Sequence, residues 1–107
     1  MSDCTVYISK ARNGRDFQEQ IRWKKDNESY DLSAATGKAY LFDDGEKVAE
    51  YDLNCYFTDV LSPNFDFDIT TAELTLLDEK VYDVLFVIDG KELPENEAYK
   101  INILPVL

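Results

Sequence analysis

The chain has 107 residues, 45% of them hydrophobic, which is enough for one domain whose core needs no disulfide or metal staple. It carries 22 acids against 11 bases and no histidine, for a formal charge of −11. That charge repels phosphate backbones and anionic lipid, so neither direct nucleic-acid binding nor membrane binding is expected, and the missing histidine removes the commonest general base and metal ligand.

Residues 5–8 read as a short first strand, and Asn13-Gly14 as a turn. Phe17, Ile21 and Trp23 then share one parity, and Gln18, Gln20, Arg22 and Lys24 the other, which is the period-two pattern of a half-buried strand. Glu19 breaks the inward set and points to a sheet edge or a bulge. Asp26-Asn27-Glu28-Ser29 is a polar turn, residues 38–42 a third strand, and Asp44-Gly45 a hairpin turn into a fourth over 48–53. Ser62-Pro63-Asn64 breaks the chain. Beyond it Phe65, Phe67 and Ile69 face the core, while Asp66 and Asp68 face water. Thr70, with Glu73 three residues on, is a capping signature for one helical turn. Residues 81–88 are apolar at both parities, as a buried central strand requires, and Asp89-Gly90 closes them with a second hairpin signal. A polar segment over 92–97 leads to a last strand through Tyr99, Ile101 and Ile103. About seven strands at short spacing with one helical turn predict an all-β domain spanning 1–107, an antiparallel two-sheet sandwich, with a small barrel as the alternative.

The charge is uneven. Residues 1–25 hold six bases and three acids, a balance of +3, and the remaining residues stand at −14. An evenly solvated acidic surface is the plain reading; head-to-tail self-association of a basic edge with an acidic side is the sharper one. Cys4 and Cys55 have no metal-type spacing and no secretory leader is expected, so two reduced, buried thiols are expected. No run is apolar enough to cross a bilayer, and no secretory signal is visible.

Chemistry finds little purchase. Serine–histidine and cysteine–histidine hydrolysis are excluded in their usual form, and four glycines supply no phosphate loop. Asp66 and Asp68, about 7 Å apart on a strand, have the separation of an inverting glycosidase pair, but exposed aspartates on a strand are ordinary surface. Asp43-Asp44-Gly45-Glu46 offers oxygen ligands for Ca²⁺ without the spacing of an EF-hand loop, and as a hairpin turn it needs no metal. No enzyme activity, cofactor or metal is therefore expected. Seven tyrosines could serve contacts or sugar stacking, and which of them face outward is not legible at this level.

Two stretches resemble known families. The spacing of Asp78 and Tyr82 resembles the corner of immunoglobulin-like sandwiches, where a tyrosine near the start of the penultimate strand bonds back to upstream backbone. Ile21, Trp23, Val84 and Phe86 stand where antibody-type domains carry their inter-sheet cysteines. The stretch Tyr30-Asp31-Leu32-Ser33-Ala34-Ala35-Thr36-Gly37-Lys38-Ala39-Tyr40-Leu41 resembles the "DLTGAT" segment that precedes a strand in the N-terminal domains of phage baseplate upper proteins and related tail domains. Gly14-Arg15-Asp16-Phe17 is similar to the "GD" turn before the second strand of that family, and Phe67 to Leu76 followed by Tyr82 to its strand, helical turn and "G-x-Y" strand. Ala34 replaces the usual Gly, Arg15 interrupts the Gly-Asp pair, and Lys80 replaces the Gly before Val81-Tyr82.

The resemblance implies an immunoglobulin-like β-sandwich in a phage or prophage tail, near the baseplate. Its expected role is non-enzymatic assembly through contacts with other phage structural proteins or with further copies of itself. Its expected location is the virion, or the bacterial cytoplasm during assembly. Candidate interface residues are the bases Arg12, Arg15, Arg22 and Lys24 and the apolar Leu104, Val106 and Leu107 near the C-terminus. Two other functions fit the composition: an acidic mimic of nucleic acid that inhibits a host nuclease, and a carbohydrate-binding receptor-recognition module.

Overall fold

The computed structural model describes residues 5–93 and 97–106. The fold is all-β. Its strands are β1 (Thr5–Arg12), β2 (Phe17–Ile21), β3 (Lys24–Lys25), β4 (Glu28–Ser29), β5 (Gly37–Asp43), β6 (Glu46–Cys55), β7 (Phe65–Ile69), β8 (Val81–Ile88), β9 (Lys91–Leu93) and β10 (Glu97–Leu104), with one helical turn, α1 (Thr71–Leu74). The seven expected strands and the helical turn are all present, with β3, β4 and β9 as short additions.

The sheet runs β1-β10-β8-β5-β6-β7-β2, with β9 beside β8. β1 lies parallel to β10; the other pairings are antiparallel. β6 is the joint. Seven of its first eight residues pair with β5, Val48 being skipped, and its last two, Asn54 and Cys55, pair with Asp66 and Phe65 of β7. Instead of two separate sheets, one sheet therefore rolls nearly into a barrel, and β1 and β2 are left facing each other across a seam.

Side chains close that seam. Ser9 Oγ donates to Glu19 Oε2 at 2.5 Å, which leaves the Tyr99 hydroxyl to donate to Ser9 Oγ at 2.6 Å. Glu19 thus marks an edge. It is not a bulge, because the β2–β7 register is unbroken. The bulge lies between Leu41 and Phe42, where β5 pairs with β6.

The core is aromatic. Phe65 and Phe67 of β7 meet Phe86 of β8 edge-on, at centroid distances of 5.3 and 5.4 Å, and Phe86 also meets Tyr99 at 5.0 Å. β7 and β8 are not neighbours in the sheet, so Phe86 ties opposite walls together. Leu32 is buried, and Asp31 forms a turn by accepting from Ser33 N at 3.0 Å.

Both Asp-Gly hairpins carry positive φ at both residues, at Asp44 and Gly45 and at Asp89 and Gly90, as a type I′ turn requires. The capping box is complete: Thr70 Oγ1 accepts from Glu73 N, and Glu73 Oε1 accepts from Thr70 N at 3.0 Å. The bond expected from the Asp78–Tyr82 spacing is present as well, with Asp78 N donating to the Tyr82 hydroxyl at 2.8 Å.

Three expectations change. The second strand stops at Ile21, and Lys24–Lys25 folds instead against Glu28–Ser29 around Asp26 and Asn27, both at positive φ. Cys55 ends β6 only half-buried, because the joint opens there; Cys4 lies outside the described residues. β8 is central, but only one of its faces is covered. Tyr82, Val84, Phe86 and Ile88 are buried, Leu85 and Val87 are half-exposed, and Val81 is 46% exposed.

Candidate functional site

Two ends and one broad face organise the surface. At one end lie the β1–β2 turn, the β5–β6 turn, α1 and the end of β10. Here Asp16 Oδ1 accepts from both Thr71 N at 2.7 Å and Thr71 Oγ1 at 2.8 Å, and these bonds hold its carboxyl below the usual range. Arg12 is half-buried and donates to Pro105 O at 3.1 Å, Leu104 pairs with Arg12 across β1 and β10, and Val106 is 67% exposed beside Gly14. Arg15 is exposed in the same turn. Leu107 lies outside the described residues.

Arg22 and Lys24 lie at the opposite end, beyond β2 and about 20 Å along the strand from Arg15. The four bases are therefore not brought to one face. Arg22 is committed locally: its guanidinium donates to Ser29 Oγ at 2.8 Å, to Val60 O at 2.8 Å and to Asn27 O.

That second end is a hydrogen-bonded plate centred on Asn64, a residue legible in the sequence only as part of a chain break. Asn64 is fully buried. Its Nδ2 donates to Trp23 O at 2.8 Å and Tyr30 O at 2.9 Å, and its Oδ1 accepts from Trp23 N at 2.7 Å. Ser29 Oγ donates to Ser62 O at 2.7 Å, and Ser29 N to Val60 O at 2.8 Å. Asp59 accepts from Leu61 N at 2.8 Å and Ser62 Oγ at 2.9 Å, which lowers its pKa. The plate holds Leu61, 73% exposed, at its tip. The only advance signal for it was the density of Ser, Asn and Asp, which are side chains that bond to loop backbone.

The titratable groups show no catalytic pairing. Asp66 accepts from the Tyr56 hydroxyl at 2.8 Å, and burial, with Asp66 beside it, pushes the Asp68 carboxyl up. Burial, reinforced by Asp66, pushes the Tyr56 hydroxyl up to about 12. Asp43 accepts from Lys80 Nζ at 2.7 Å. Among the described residues no group of three or more Cys, Asp or Glu side chains is placed to hold a metal ion. Burial pushes the Cys55 thiol up, away from the reactive thiolate. Of the seven tyrosines, Tyr51, Tyr82 and Tyr99 are buried, Tyr30, Tyr40 and Tyr56 half-buried, and Tyr7 is 48% exposed.

The broad face is the outer surface of β1, β10, β8, β5 and β6. It presents Ile8, Tyr40, Phe42, Val81, Leu85 and Val87 among ion pairs: Lys38 with Glu50 at 3.0 Å and Asp52 at 3.6 Å, and Lys100 with Asp83 at 2.5 Å. Lys47 lies over the Tyr40 ring at 5.2 Å. A shallow, open depression of about 230 Å³ indents its lower margin between Lys38, Tyr40, Val87 and Asp89. That is smaller than the usual small-molecule pocket. No described helix is long and apolar enough to cross a membrane.

Geometry and charge thus define an all-β domain whose notable features are surfaces rather than a cleft. No protein-family model matches the chain, and a search of curated proteins finds no significant match.

Proposed function

We propose that this chain is a non-enzymatic assembly module of a phage or prophage tail, near the baseplate, with an immunoglobulin-like fold, acting through contacts with other structural proteins. The observation that carries the fold reading is the Tyr82 corner: a hydroxyl at the head of β8 accepting the backbone N–H four residues upstream. The strand order supports it, since β1 lies parallel to the last strand and β8 lies between β10 and β5. The role rests on the resemblance over Tyr30 to Leu41 and on the form of the surface, with loops locked at one end and apolar residues left outside the core. The sugar-binding alternative draws no support from the tyrosines, because no two of them stand exposed side by side.

The test is fractionation. An epitope-tagged chain, produced in its host during particle formation, should band with intact particles on a density gradient in fixed proportion to a tail protein. A chain found wholly in the soluble fraction would sink this reading. Competition with DNA for a basic host protein would favour the acidic-mimic alternative instead.

A further inference from the structure

We infer that the broad outer face of β1, β10, β8, β5 and β6, centred on β8, is a self-association surface that pairs two copies of this chain about a twofold axis. The first argument comes from β8. Its sequence is apolar at both parities, which is the pattern of a strand covered on both sides. In the single chain only one side is covered. Leu85 and Val87 stand half-exposed and Val81 is 46% exposed, next to Tyr40 and Phe42 of β5, with Ile8 of β1 57% exposed beyond them. Contiguous apolar residues rimmed by charge mark contact surfaces more often than scattered ones do.

The second argument is charge, and it selects the occupant. This face and its margins hold Lys10, Arg12, Lys38, Lys47, Lys80 and Lys100, six of the chain's 11 bases. They hold only six of its 22 acids: Asp43, Glu50, Asp52, Asp83, Asp89 and Glu92. Four of those acids already pair with lysines. The balance here is zero, on a molecule at −11. Two copies meeting elsewhere set acids against acids; meeting here, they bring apolar side chains together within a near-neutral rim of both signs. A rim of that kind is self-complementary, as a twofold contact demands.

Size sets the strength of the contact. Five strands about 4.8 Å apart and some seven residues long span about 24 by 23 Å, an area on the order of 550 Å² before side-chain relief. A standard stable contact buries about 800 Å² on each partner, so this one belongs to the small, weak class. The inference rests on the assembly reading above and names a surface for it.

Sedimentation equilibrium of the whole chain at 20 and 500 mM NaCl tests it. Apolar contact opposed by long-range repulsion strengthens as salt screens the repulsion, so the dimer should tighten by several-fold at high salt. Leu85→Lys and Val81→Lys should each weaken it by about tenfold or more, with circular dichroism and melting showing the fold retained. Leu61→Lys, on the far loop end, should leave it unchanged. A monomer at both salts, open-ended oligomers, or a dimer indifferent to Leu85→Lys and Val81→Lys would overturn the inference. A monomer that still bands with particles would leave the assembly role standing, so the two failures are distinguishable.

Discussion

A few side chains do disproportionate structural work. Asn64 satisfies three backbone groups of two other segments, and Asn64→Ala strands them in a dry site. Loss of about 2–4 kcal/mol is expected in urea unfolding, well above the effect of a surface Asn. Gly37 is set by crowding: a Cβ there would lie 2.9 Å from Ile88 Cγ1 and 3.2 Å from Val87 O. Gly37→Ala should therefore cost about 1–3 kcal/mol through overpacking. Both positions read in the sequence as ordinary loop residues, because what constrains them comes from segments distant in the chain.

Acid titration belongs to this scale too. Asp16, Asp31 and Asp59 are held below the usual carboxylate range, mainly by hydrogen bonds from Thr71, Ser33 and Leu61. Their contribution is complete above the unfolded value near 4 and is lost as pH falls through their lower folded values. Asp68 runs the other way. Its folded pKa is raised, so its burial costs nothing below about pH 4 and destabilises the fold once pH exceeds the raised value. Asp68→Asn should raise the melting temperature at pH 7 and change it little at pH 3.5, whereas Asp16→Asn should lower it at pH 7. The reverse order in thermal melts would contradict these assignments.

Most elements were legible because their signals are local. A type I′ turn needs positive φ at adjacent residues, and Asp-Gly provides it cheaply at 44–45 and 89–90. The capping box at Thr70 and Glu73 and the alternation of Phe65, Phe67 and Ile69 are complete within a few residues. Thr70→Ala should cost about 1 kcal/mol, and Tyr82→Phe, which removes the acceptor for Asp78 N, a similar amount. The sequence pattern carries the second strand past Ile21 because Trp23 and Lys24 continue the parity of β2, while the polar turn at 26–29 is present. The chain departs from β2 only because Asn64 and Arg22 bond the backbone on either side into the plate.

For the whole molecule, the organising facts are a rolled sheet and a segregated charge. Phe86 contacts three aromatic rings from both walls, so Phe86→Ala should cost about 3–5 kcal/mol and loosen the barrel as a unit. Near-ultraviolet circular dichroism should collapse together with the far-ultraviolet signal on heating this variant; separate transitions would mean that the two walls are not one cooperative core. The basic N-terminal balance of +3 does not become a basic patch. β2 separates Arg15 from Arg22, and Arg22 is turned into loop scaffolding.

By itself, the sequence determined the all-β class, the seven main strands, both hairpins and the helical cap, because propensity, parity and turn chemistry act over a few residues. Only the tertiary structure decided that the sheet rolls through β6 and is latched by Ser9 and Glu19. Only it decided that Asn64 rather than a basic stripe organises one end, and that one apolar side of β8 stays outside. Those outcomes depend on contacts between segments far apart in the chain, and no short-range pattern encodes which distant backbone or side chain will arrive.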